Sequence, residues 1–243
     1  MIKISALASG SKGNCYRVTD SRTPLLLECG ISIQKIKKGV GFKLADIAGC
    51  LVTHEHQDHC KAAADITRAG IDTYMSAGTA WALIETASKD SAIFAGHRVK
   101  IKKALEQFKV GTWTILPFAT QHDAKEPLGF LLANQEGDKL LYATDTYYIQ
   151  YRFQDLTHIM IECNYAKDIL QANVRAGLVP AVLEKRLLTS HFSLENVKEF
   201  LKANDLSRVR EIWLLHLSDQ NSDAERFKRE VQELTGKPVF VAG

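Results

Sequence analysis

The stretch Cys50-Leu51-Val52-Thr53-His54-Glu55-His56-Gln57-Asp58-His59 decides the reading of this chain. Cys50, Leu51 and Val52 read as a short buried strand. It stops at Thr53-His54, and three histidines and one aspartate fall between positions 54 and 59. A strand end holds such a loop rigidly. His54 and His56 stand two apart, so in an extended loop both point the same way. Asp58 and His59 follow at the turn into a helix, expected over roughly 61–69, and face a second ion. Imidazole and carboxylate together suit zinc, manganese or iron.

Upstream, residues 2–28 read as a meander of strands. Ile2, Ile4 and Ala6 alternate with polar partners, and Gly10, Gly13 and Asn14 force a turn. A short apolar strand at 25–27 runs into Glu28-Cys29-Gly30. Ser32 is placed to cap a helix through Lys38, closed by Gly39. Downstream come a strand at 72–75, a helix at about 79–86 and a mainly β region at 99–118. The second half restarts with strands at 129–133, 140–143 and 159–162. Helices are expected at about 166–176, at 194–203 with Ser193 as N-cap, and at 224–234. In the last of these, Ala224, Phe227, Val231 and Leu234 make one apolar stripe. Strands then helices, twice over, predict an α/β sandwich of two similar halves, about 1–120 and 121–243, in a single domain.

Composition sets the class. The 243 residues are 46% hydrophobic and 24% charged with a net charge of +3, which describes a folded domain with an ample core and excludes a disordered or collagen-like chain. No apolar run approaches the roughly 18 residues of a membrane span. The N-terminus lacks the layout of a signal peptide. Five cysteines at irregular spacing, with no CxxC pair, point to free thiols and a cytoplasmic chain.

The His-x-His-x-Asp-His stretch after an apolar strand resembles the metallo-β-lactamase fold, a four-layer αββα sandwich of α/β class. The resemblance implies further ligands in order: His122 in Gln121-His122-Asp123, Asp145 in Thr144-Asp145-Thr146 and His216 in Leu215-His216-Leu217. It implies two divalent metal ions, zinc first and manganese as the alternative. His54, His56 and His122 would hold one ion, Asp58, His59 and His216 the other, with Asp145 bridging. Such a pair lowers the pKa of a shared water and clamps a phosphodiester oxygen. Ser190-His191-Phe192-Ser193 resembles the extra histidine segment of RNase Z and related phosphodiesterases. Glu162 resembles the acidic residue that accompanies it. The catalytic set implied is therefore His191, Asp58 and Glu162. Glu28 departs from the family's usual aspartate at that strand end.

The opening Leu7-Ala-Ser-Gly-Ser-Lys-Gly-Asn14 is similar to the first loop of WalJ-like nucleases and of phage-encoded anti-Pycsar proteins, which destroy cyclic nucleotide signals. That loop offers backbone N–H groups to a phosphate, or is simply a tight turn. Tyr147, Tyr148 and Tyr151 stack on a base, or pack in a core or interface. RNase Z enzymes grip RNA with a long protruding arm, and no basic or Gly/Pro-rich insertion of that kind is present. A small nucleotide substrate thus ranks first, giving a 3′,5′-cyclic nucleotide phosphodiesterase. A WalJ-like DNA exonuclease or RNase Z-like endoribonuclease ranks next, with nucleic acid as partner, and a non-catalytic metal-binding protein last. The relatives imply a homodimer, and no membrane partner is expected.

Overall fold

A computed structural model describes residues 1–86 and 97–243. The chain divides into two units. One comprises 1–119, 124–138 and 243, the other 120–123 and 139–242. The first carries β1 (Lys3–Ala8), β2 (Cys15–Thr19), β3 (Pro24–Leu27), α1 (Ile33–Gly39), β4 (Gly49–Leu51), α2 (Gln57–Cys60) and α3 (Ala63–Arg68). It continues with β5 (Thr73–Met75), α4 (Ala77–Thr86), β6 (Val99–Ile101), β7 (Phe108–Val110), β8 (Trp113–Ala119) and β9 (Leu128–Ala133). The second unit carries β10 (Lys139–Ala143), β11 (His158–Glu162), α5 (Lys167–Arg175), α6 (Ala181–Ser190), α7 (Leu194–Lys202), β12 (Glu211–Leu215), α8 (Ala224–Thr235) and β13 (Val239–Val241).

In the first unit β1 to β6 pair in sequence order, antiparallel from β1 to β3 and parallel from β3 to β6. β7, β8 and β9 form an antiparallel meander. One apolar cluster, including Leu26, Val52, Ile66 and Met75, backs the strand ends that lead to Glu28 and His54. All five cysteines are buried and free. Burial pushes the Cys60 thiol up, and its Sγ donates to the Glu55 carbonyl at 3.0 Å, so it serves as a small core residue.

In the second unit β10, β11, β12 and β13 are parallel neighbours. Parallel strands are covered on both faces, and every residue of β11 is buried. Ser193 caps α7, its hydroxyl accepting from the Asn196 amide at 3.2 Å. In α8, Phe227 and Val231 are buried, while Ala224 is exposed and Leu234 half-buried, so the apolar stripe is narrower than the sequence implies.

Two elements differ from the sequence reading. The helix expected over 61–69 starts earlier, as α2, inside the histidine motif. The His56 carbonyl accepts from the amides of both His59 and Cys60, at 2.9 and 3.1 Å, so the turn closes there. The segment 181–190 was not expected to be helical and forms α6. Pro180 precedes it as the N-cap, its ring fixing φ at −61° while ψ stays extended at 144°. His191 is its C-terminal cap.

Candidate metal centre

The first unit gathers its donors on one short path. β3 ends at Glu28, β4 runs into Thr53-His54, and α2 carries Asp58 and His59. His54 Nε2 lies 3.0 Å from His56 Nδ1. Two nitrogens bound to one tetrahedral zinc stand about 3.3 Å apart, given Zn–N bonds of about 2.0–2.1 Å. The pair therefore fits one ion. Thr53 Oγ1 is 2.9 Å from the other nitrogen of His54 and fixes its ring. The His59 ring is fully buried. The Asn14 amide donates to its Nε2 at 3.1 Å, so that nitrogen carries the lone pair. Its Nδ1 then bears the proton, 3.7 Å from Glu28 Oε1. This is the tautomer a metal ligand needs, with a carboxylate behind the ring. Asp58 Oδ2 is 3.3 Å from the same His59 Nε2. Glu28 also accepts from the Thr53 amide at 3.3 Å. The longer carboxylate thus touches both the motif's backbone and its last imidazole, from a left-handed backbone with φ 63°.

The second unit builds its donors from separate segments. Parallel strands present functional groups at their carboxyl ends. β10 leads to Asp145, β11 ends on Glu162 and β12 leads to His216. Asp145 and His216 adopt φ 47° and 53°, a conformation costly for non-glycine residues and found where side chains must be aimed. His216 Nδ1 lies 2.9 Å from Asp145 Oδ1 and 3.2 Å from Glu162 Oε1. His122 donates from Nδ1 to the Ser190 carbonyl at 2.9 Å, leaving Nε2 as the lone-pair nitrogen 3.5 Å from Asp145 Oδ2. His191 donates from Nδ1 to Glu162 Oε1 at 2.6 Å. Single donor atoms of Asp145, Glu162, His191 and His216 all lie within 4.8 Å of one another.

Glu162 is the hub of this cluster. Besides two imidazoles it accepts from the amides of Thr146 and Phe192, at 3.0 and 3.2 Å. Burial alone would lower the His191 pKa, but the Glu162 carboxylate overrides it and holds the ring above its ordinary value. Burial pulls His122 down, only partly offset by Asp145. Side-chain exposure separates the roles. His122, Asp145, His216 and Glu162 show 1%, 3%, 4% and 0%, whereas His191 shows 13%. The imidazole that reaches solvent is the one the ligand pattern does not require.

Residues 24–217 match the β-lactamase superfamily domain. The chain belongs to this superfamily. Exodeoxyribonuclease WalJ of Streptococcus pneumoniae is 30% identical over 236 residues, covering 92% of this chain and 84% of that protein. Exodeoxyribonuclease YycJ of Bacillus anthracis is 27% identical, covering 100% of this chain and 92% of that protein. The metallo-β-lactamase fold protein YhfI of Bacillus subtilis superposes with a TM-score of 0.71 at 15% identity, covering 100% of this chain and 97% of that one. The α/β metallo-β-lactamase fold expected from the sequence is the fold of this protein. Among the described residues, no helix is long and apolar enough to cross a membrane.

Within this superfamily domain, each unit brings its predicted donors together: His54, His56, Asp58 and His59 in one, His122, Asp145, Glu162, His191 and His216 in the other. Three supporting residues escaped the sequence reading. Asn14 closes its own loop onto Gly10 at 3.0 Å, and its backbone amide donates to the Asp58 carbonyl at 2.7 Å. The glycine-rich loop is therefore a buttress of the histidine motif. Gly30 packs so closely on that motif that a Cβ would strike the Asp58 carbonyl. Asn164 donates to the His216 carbonyl at 2.8 Å and pins that turn. Position gave a signal for each, since all three lie in turns at strand ends. Tyr147 and Tyr148 are 37% and 56% exposed, so neither is a core residue.

Proposed function

We propose that the protein is a metal-dependent phosphodiesterase that degrades DNA from an end. The observation that carries the chemistry is the His191–Glu162 pair set among buried imidazoles and a buried aspartate. The two exodeoxyribonuclease relatives, matched along 92% and 100% of the chain, support DNA as substrate over the cyclic nucleotide that compactness alone favours.

In this reading His54, His56, Asp58 and His59 of one unit and His122, Asp145 and His216 of the other would be the residues that hold the ions. The ions would supply Lewis acidity and activation of water, as paired metals do in phosphodiester hydrolysis. The chain's own residues do the rest. Thr53, Glu28 and Ser190 orient the rings of His54, His59 and His122, so that each of the three presents the correct nitrogen. Glu162 holds His191 and raises its pKa. His191 then stabilises charge building on the phosphoryl oxygens and gives its proton to the leaving oxygen. Glu162 acts through His191 and is a positioning residue.

The test compares hydrolysis of linear DNA, 3′,5′-cyclic nucleotides and a tRNA precursor by metal-loaded protein. DNA should be cut from an end, and its binding should weaken steeply with salt, by about 10³–10⁵ between 50 and 200 mM if six to ten phosphates are held. Opening of a cyclic nucleotide with no cutting of DNA overturns the reading.

A further inference from the structure

The second unit contains a cavity of about 530 Å³, within the range of small-molecule sites. Its floor is apolar: Phe192, Phe200 and Ile149 are all buried. Tyr147 and Tyr148 form part of the lining while remaining well exposed. The backbone around them is fixed. The Tyr147 amide donates to Gln121 O at 3.2 Å, the Tyr147 carbonyl accepts from Asn196 at 3.3 Å, and Thr146 Oγ1 donates to the Tyr148 carbonyl at 2.8 Å. These are all bonds of the tyrosines' backbone, and the rings are held out on a hydrogen-bonded turn.

Two features point to the occupant. The first is continuity with the catalytic cluster. Phe192 follows His191 directly, and its amide is bound to Glu162. Tyr147 stands two residues after Asp145, and its amide partner Gln121 adjoins His122. The second is chemistry. Arg152 lines the cavity and makes no ion pair with any described residue, whereas the acidic Glu199 is paired with Lys202 at 2.9 Å. An aromatic rim, an apolar floor and an unpaired guanidinium suit a ring bearing a phosphate.

We propose that this cavity holds a nucleobase of the DNA strand beside the phosphodiester being cut, stacked on Tyr148 and Tyr147, with Arg152 facing a neighbouring phosphate. The inference rests on the DNA reading above and adds the subsite that seats the strand. Base–aromatic stacking tolerates every base, which suits an enzyme that degrades without sequence preference.

The experiment uses the full metal-loaded chain, with phosphorothioate linkages in the DNA that resist cutting. Single-stranded oligodeoxynucleotides carry the fluorescent base 2-aminopurine at the first, second or third position from either end. One position should lose fluorescence on binding. Tyr148→Ala should abolish that loss and weaken binding about 5- to 100-fold, the range seen for stacked bases. Tyr148→Phe should retain both. Tyr148 is more than half exposed, so the substitutions leave the fold intact, which circular dichroism checks. A signal independent of position, or Tyr148→Ala binding like the parent, overturns the proposal. So does sedimentation showing that Tyr148→Ala merely separates two copies of the chain while DNA binding is unchanged. Metal-loaded protein that cuts DNA without any positional signal defeats the subsite and leaves the nuclease. A positional signal without cutting does the reverse.

Discussion

The two units reach a His/Asp donor set by opposite routes. In the first, all the donors come from one loop and one helical turn, residues 54–59, and local backbone sets their geometry. In the second, five donors come from five segments between positions 122 and 216, and strand order sets the geometry. β10, β11 and β12 are parallel neighbours, so Asp145, Glu162 and His216 arrive side by side. A local motif depends on what lets its turn close. A dispersed one depends on a hub, and Glu162 is that hub, with four hydrogen-bond partners.

The largest effect expected from this contrast is on His191, the dispersed imidazole that is only partly buried. His191→Ala should keep fold and bound metal yet lower turnover by about 10²–10⁴, the usual contribution of a general acid. Elemental analysis beside single-turnover kinetics checks it. A parallel loss of metal would make His191 a ligand and erase the distinction between it and its buried neighbours.

The next effect falls on the local motif. Gly30→Ala places a Cβ against the Asp58 carbonyl, and the loop holding Asn14, Gly30 and α2 must open. Overpacking of this kind costs about 1–3 kcal/mol. Denaturant unfolding should show that loss, with weaker metal retention. The Gly236→Ala variant is the control, because its Cβ meets nothing within 4 Å and only the left-handed φ of 65° is strained. Equal destabilisation of the two would show that the close approach to Asp58 has no special weight.

These residues also show what the sequence could and could not say. Four candidate ligands of two types in six positions after an apolar strand are legible because their close spacing brings them together. His122, Asp145 and His216 are single residues in long stretches and were legible only through the family resemblance. The helix α6 was missed because its apolar residues are not on a buried stripe: Val182 is 84% exposed. Periodicity reads burial, and this helix buries little. Asn14 and Gly30 carry the local signal of turn residues at strand ends, but contacts 44 and 28 positions away in sequence leave no trace of which motif they brace.

The smallest effect compares the caps. Ser193 accepts from its N3 amide at 3.2 Å and Ser32 at 3.5 Å. Ser193→Ala should cost about 1 kcal/mol, as cap removal usually does. Ser32→Ala should cost less, because its bond is longer and exposed. Thermal melts of the two variants check the order, and a reversed order would show that capping geometry does not govern these helices.

The proposal that matters most is that the chain holds two metal ions. Elemental analysis of protein purified without chelator tests it most directly. About two transition-metal ions per chain are expected, the number a dinuclear phosphodiesterase requires, with loss of occupancy in Asp145→Ala. Absence of bound metal in the parent protein, or full occupancy in Asp145→Ala, would contradict it.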